Sequence, residues 1–128
     1  MRLTKLRVAA GTTAASAALI TGGLLAAPAD AASSCYAKSG HLYCGNLYNA
    51  PIQLTPAYST NGGQDPVRTV DYLRTTFSYF QCYVTGQRHS GGNNIWYHTY
   101  GDVYHRWGYV AAVNVWTNKD PFPGVSHC

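Results

Sequence analysis

The sequence predicts an all-β fold, and three observations carry that expectation. All eleven Tyr and all three Trp lie from Tyr36 onward, and these are strand formers with an apolar body and a polar tip. Beyond residue 31, no stretch holds the 3.6-residue apolar spacing of an amphipathic helix. Instead, short aromatic and β-branched runs alternate with clusters of Gly, Asn and Pro, the pattern of strands joined by turns.

Residues 1–31 stand apart from this pattern. Arg2, Lys5 and Arg7 precede an uncharged run of small and apolar residues over 8–27, and Pro28 ends it. Ala29-Asp30-Ala31 then supplies the A-x-A pattern that a signal peptidase accepts in its narrow pockets. The segment reads as a secretory signal peptide cleaved after Ala31, which leaves residues 32–128 as a single extracellular domain. A retained anchor fits less well, because Gly11, Thr12, Thr13, Ser16, Thr21, Gly22 and Gly23 dilute the run. A lipid anchor on Cys35 fits less well again, since it would leave an odd number of cysteines.

In the expected domain, Lys38, Arg68, Arg74, Arg88, Arg106 and Lys119 face Asp65, Asp71, Asp102 and Asp120, and the chain has no Glu. The basic residues are scattered rather than clustered, which argues against a nucleic-acid partner. Cys35, Cys44, Cys82 and Cys128 would reach an oxidising compartment, so two disulfides are expected. Three pairings are possible. Cys35 and Cys44 bracket a segment that looks like a hairpin turning at Ser39-Gly40, which favours Cys35–Cys44 and Cys82–Cys128. Zinc is disfavoured because there is no close C-x-x-C pair, and no metal or cofactor is expected.

Residues 32–49 are thus a disulfide hairpin, and residues 50–128 the main body with a pinned tail. In that body, 50–54 is a short extended piece, with Pro51 placing it at an edge or a strand start. Residues 55–66 form a polar loop, and 67–70 alternate as a strand. Residues 76–85 (TFSYFQCYVT) are the strongest strand. Within it, Phe77, Tyr79 and Tyr83 share one face, and Phe80 and Cys82 the other. A turn at 86–94 leads to strands at 95–100 (IWYHTY), 107–110 (WGYV) and 113–117, with a turn at 101–106. Short strands, unequal loops and no helix suggest a small barrel.

The order of these pieces resembles the bacterial SH3-like domain, in the small secreted, cysteine-containing form of Gram-positive bacteria. Residues 52–60 (IQLTPAYST) stand where the family has its first "P-x-x-S" segment, and 67–73 stand for the second strand. Residues 77–84 stand for the central strand, with Trp96-Tyr97 and Trp107-Gly108-Tyr109-Val110 as the closing signals. The resemblance covers 50–117. Arg74-Thr75-Thr76 replaces the family's Lys/Gly turn and the loop at 59–66 is longer, so ligand contacts there are not implied. The resemblance implies a small SH3-like barrel behind the hairpin. It implies a monomeric, non-catalytic module that binds cell-wall peptide or glycan, or a segment of another secreted protein. Its groove would be lined by Tyr58, Trp96, His98, Trp107 and Tyr109.

Two other functions compete. His98, Asp102 and His105 surround one turn, and a histidine pair with an acid could run general acid–base chemistry, as in a ribonuclease-type toxin. Against this, His105 lies in a turn where polar residues are the default, and the four Asp all read as turn or loop-edge residues. Carboxylate-pair hydrolysis and a nucleophile elbow find no support. A protease inhibitor presenting the 59–66 loop is the other alternative.

Overall fold

The computed structural model describes residues 34–59 and 67–128. The expected signal peptide and most of the 59–66 loop lie outside the described residues. Eight strands follow in order: β1 (Tyr36–Lys38), β2 (His41–Gly45), β3 (Ala50–Gln53), β4 (Thr69–Leu73), β5 (Phe77–Phe80), β6 (Cys82–Thr85), β7 (Ile95–Tyr100) and β8 (Trp107–Ala111). They form two antiparallel sheets, β1-β2-β5 and β4-β3-β8-β7-β6. The fold is all-β, with a disulfide hairpin at its start.

That hairpin follows from local chemistry. Ser39 and Gly40 both have positive φ, 54° and 84°. This is the geometry of a two-residue turn whose twist matches that of the flanking strands. The turn sets the register Tyr36↔Tyr43, Ala37↔Leu42 and Lys38↔His41. One step further along, the same register puts Cys35 opposite Cys44, and the two are bonded with Cα atoms 4.1 Å apart.

The long strand expected over 76–85 is broken at Gln81. β5 pairs with β2 in the small sheet and β6 with β7 in the large one, so the chain crosses between sheets at that residue. The crossing leaves no backbone group unsatisfied: Gln81 N–H donates to His98 O at 2.7 Å, and its carbonyl is 2.8 Å from His41 Nδ1. Of the two faces read from the sequence, the one bearing Phe80 and Cys82 is buried, while Phe77 is exposed.

The strand expected over 113–117 is also replaced. Residues Ala112–Asn114 form a 3-10 turn. Beyond it the backbone pairs irregularly with the end of β2, through Leu47 N–H to Asn114 O and Trp116 N–H to Gly45 O. Fully buried Asn46 fills that junction. Its amide donates to Leu47 O and Thr75 O and accepts from Ser78 Oγ. Pro51 sits near the start of β3, where β8 makes no demand on its missing N–H because β8 pairs with β3 only at Gln53.

The core lies between the sheets, with Leu42, Ile52, Leu73, Phe80, Tyr97 and Val110 at its centre. Tyr97 can be fully buried because its hydroxyl donates to Asp120 Oδ1 and accepts from Phe122 N–H. Burial, reinforced by the Asp120 charge, pushes its phenol well above the usual range. The tail crosses back over both sheets. Ser126 N–H bonds to Gly40 O, residues 126 and 128 bond to Tyr83, and Cys128 closes on Cys82.

The second disulfide closes the longer loop, 46 residues against 9. On the chain-entropy argument it contributes about 4 kcal/mol, and the first about 2.5. Thermal melts should therefore show the larger fall for Cys82→Ala/Cys128→Ala than for Cys35→Ala/Cys44→Ala. The reverse order would place the dominant staple in the hairpin.

Candidate functional site

Alternation along β7 and β8 determines what their outer face presents. Trp96, His98 and Tyr100 point away from the core side of β7. Cross-strand pairing sets them against Ala111, Tyr109 and Trp107 respectively. The rings meet as pairs: His98 stacks on Trp107 at 5.1 Å and lies 4.9 Å from Tyr109, and Tyr100 lies 5.1 Å from Trp107 and 5.9 Å from His105. Three of the residues expected in the groove, His98, Trp107 and Tyr109, thus form one cluster, which Tyr100 and His105 extend. Tyr100 could have been found from the alternation of IWYHTY, which puts it on the face of Trp96 and His98.

The other two residues form a separate unit at the far end of β7. Trp96 is fully buried. Its Nε1–H donates to Gln87 O at 2.8 Å, the Tyr58 ring covers it at 5.0 Å and the His89 ring meets it edge-on at 5.7 Å. Gln87 Oε1 accepts the N–H groups of Tyr58 and Ser59, which pins the loop that carries this lid. Burial raises the Tyr58 phenol above its usual value, opposed by the hydrogen bond from Asn114. Trp96 therefore supports Tyr58 from beneath and presents no exposed surface of its own.

The turn between β7 and β8 is held by an acid that reads from sequence as a loop-edge residue. Asp71 lies inside β4 and is fully buried. Its Oδ1 accepts from Tyr72, Val103 and Tyr104 N–H, and its Oδ2 from Tyr104 and Arg106 N–H, at 2.7–3.1 Å. Gly101 is required beside it, because a Cβ there would land on the carboxylate. Burial alone would raise the Asp71 pKa, but the backbone donors of Arg106, Tyr104, Tyr72 and Val103 outweigh it and hold the carboxyl below its usual value. The resulting stabilisation is complete above the unfolded value of about 3.9 and is lost as pH falls through the lower folded value.

The acid–base triad suggested by sequence does not assemble. Asp102 Oδ2 accepts Arg74 N–H at 2.7 Å, and His98 Nδ1 bonds Gln81 Oε1 at 2.8 Å. His105 has φ +59° in the turn and lies against Tyr100. Burial lowers the His98 pKa, which favours the neutral ring. Among the described residues, no group of three His, Cys, Asp or Glu could hold a metal ion.

A second aromatic row covers the outer face of the small sheet. Tyr36 stacks on Tyr43 at 5.0 Å, Tyr43 meets Tyr79 at 5.4 Å, and His41 lies 5.3 Å from Tyr79. Sequence reading passed over this row, though the two-residue turn at Ser39-Gly40 was enough to set Tyr36 opposite Tyr43.

Burial separates the tryptophans. Trp107 is 46 % exposed and Trp96 is 0 % exposed, so acrylamide should quench Trp107 and leave Trp96 dark to it, as single-Trp variants would report. Trp96→Ala should cost about 3–5 kcal/mol of stability through the cavity it leaves, and Trp107→Ala about 1 kcal/mol or less. Equal losses would mean that Trp107 is part of the core.

No protein-family model, curated protein or solved structure matches the chain.

Proposed function

We propose that this chain is an extracellular, non-catalytic binding module for peptide or glycan of the cell wall. The observation that carries the reading is the aromatic row of His98, Tyr100, His105, Trp107 and Tyr109 on the β7–β8 face. Tyr100 and Trp107 are exposed at its centre. Large rings left in water on a rigid sheet are the residue types that carry binding energy, and cross-strand packing has already removed much of the entropy that a ligand would otherwise have to offset. The two disulfides suit an oxidising exterior. The A-x-A site at 29–31 supports export, and the resemblance to SH3-like domains supports a wall ligand. No helix among the described residues is long and apolar enough to cross a membrane.

The test is retention on purified peptidoglycan sacculi, with and without their peptide stems. The chain should be retained on at least one preparation, and Trp107→Ala should weaken retention about tenfold, equivalent to about 1.4 kcal/mol. Failure to bind either preparation, or undiminished binding by Trp107→Ala, contradicts the reading. So does a nuclease or peptidase activity that disappears in His98→Ala/His105→Ala with the fold intact.

A further inference from the structure

The two aromatic rows approach each other at the seam between the sheets, and a cavity of about 270 Å³ lies there. Tyr79, from the row on the small sheet, and Tyr100, from the row on the large sheet, both line it. Thr75, Ser78, Thr99 and Asp102 supply its polar lining. The volume suits one side-chain-sized group.

The hydrogen bonds already made by the polar lining decide which group that is. Thr99 Oγ1 donates to Tyr79 O at 2.6 Å, Ser78 Oγ donates to Asn46 Oδ1 at 2.7 Å, and Thr75 Oγ1 donates to Phe77 O at 3.1 Å. Thr75 Oγ1 and Ser78 Oγ are also bonded to each other at 3.0 Å. All three hydroxyl protons are therefore committed within the protein, and what the hydroxyls have left for the cavity is lone pairs. Asp102 adds an exposed carboxylate. Its Oδ2 takes Arg74 N–H, and the Arg74 guanidinium lies over the Tyr72 ring at 5.9 Å. The polar lining is thus rich in acceptors and carries a negative charge, and Tyr79 and Tyr100 stand among the residues around it. A neutral sugar needs donors for its hydroxyl oxygens as well as acceptors for its protons. A primary ammonium has three donors and no acceptor, carries the opposite charge and is attracted to aromatic faces.

The geometry points to a subsite at this seam for a primary ammonium on a peptide ligand, held by Asp102 and the Thr75, Ser78 and Thr99 oxygens, with Tyr79 and Tyr100 among the residues around it. This deepens the binding-module reading and rests on it for the source of the ligand, since stem peptides offer amines where bare glycan strands offer hydroxyls.

The probes are Nα-acetyl-lysine methylamide, its uncharged isostere Nα-acetyl-norleucine methylamide, and N-acetylglucosamine, each titrated into the purified chain and followed by backbone amide shifts. The lysine probe should move the amides of Thr99, Tyr100 and Asp102. The norleucine probe should bind at least tenfold more weakly, and raising the salt concentration should weaken the lysine response. Asp102→Asn keeps an oxygen for Arg74 N–H, so the fold should hold while lysine affinity falls at least tenfold. Equal binding of lysine and norleucine would overturn the assignment. So would a response to N-acetylglucosamine alone, to no probe, or an unchanged affinity in Asp102→Asn. Retention on sacculi without a lysine response would sink this subsite and leave the binding module standing. A lysine response without retention would do the reverse.

Discussion

Asp71 brings a fully buried carboxylate beneath the turn between β7 and β8, and its oxygens collect the N–H groups of Tyr72, Val103, Tyr104 and Arg106. A turn of this shape aims several backbone donors inward, and each would cost about 1–3 kcal/mol if left unsatisfied away from water. One carboxylate answers all of them and thereby determines where the turn lies. Asp102 closes the arrangement from the other side, giving its N–H to Tyr72 O and accepting Arg74 N–H. Edge strand β4 is bonded in this way to the hairpin that carries Tyr100, His105 and Trp107. The exposed rings sit on a face whose far end is fastened from beneath, so they can remain ordered in water without burying themselves.

The rest of the molecule follows the same economy. Here the core is supplemented by ties between parts distant in sequence. The Cys35–Cys44 staple secures the first hairpin. The tail runs from that hairpin, at Gly40, to β6 at Tyr83, and ends in the Cys82–Cys128 bond. Gln81 joins the sheets by giving its carbonyl to His41 and its side-chain oxygen to His98. Each aromatic row thus has one histidine anchored on the same residue, at the point where the strand passes between sheets.

Much of this was legible in the sequence because it depends on local rules. The all-β class follows from aromatic runs between turn residues. The cysteine pairing follows from a two-residue turn that sets opposite partners, and the contacts among His98, Trp107 and Tyr109 lie on strands readable by alternation. What was not legible depends on distant partners. Nothing near Asp71 in the sequence announces that its donors lie at 103–106, so it reads as an ordinary edge acid. Residues 76–85 carry strand propensity throughout, and only the competition of two sheets for that segment breaks it at Gln81. Trp96 and Trp107 look alike in sequence, and burial beneath Tyr58 separates them.

Asp71 is the fastening of the exposed aromatic face, and native-state amide hydrogen exchange at neutral pH tests this directly. In Asp71→Asn, two acceptor oxygens become one acceptor and a donor that faces other donors. The amides of Val103, Tyr104 and Arg106 should then exchange at least tenfold faster than in the parent chain, while those of Leu42 and Phe80 in the opposite sheet keep their protection. Unchanged protection at Val103, Tyr104 and Arg106 in a folded Asp71→Asn protein would show that the turn holds itself, and would contradict the account.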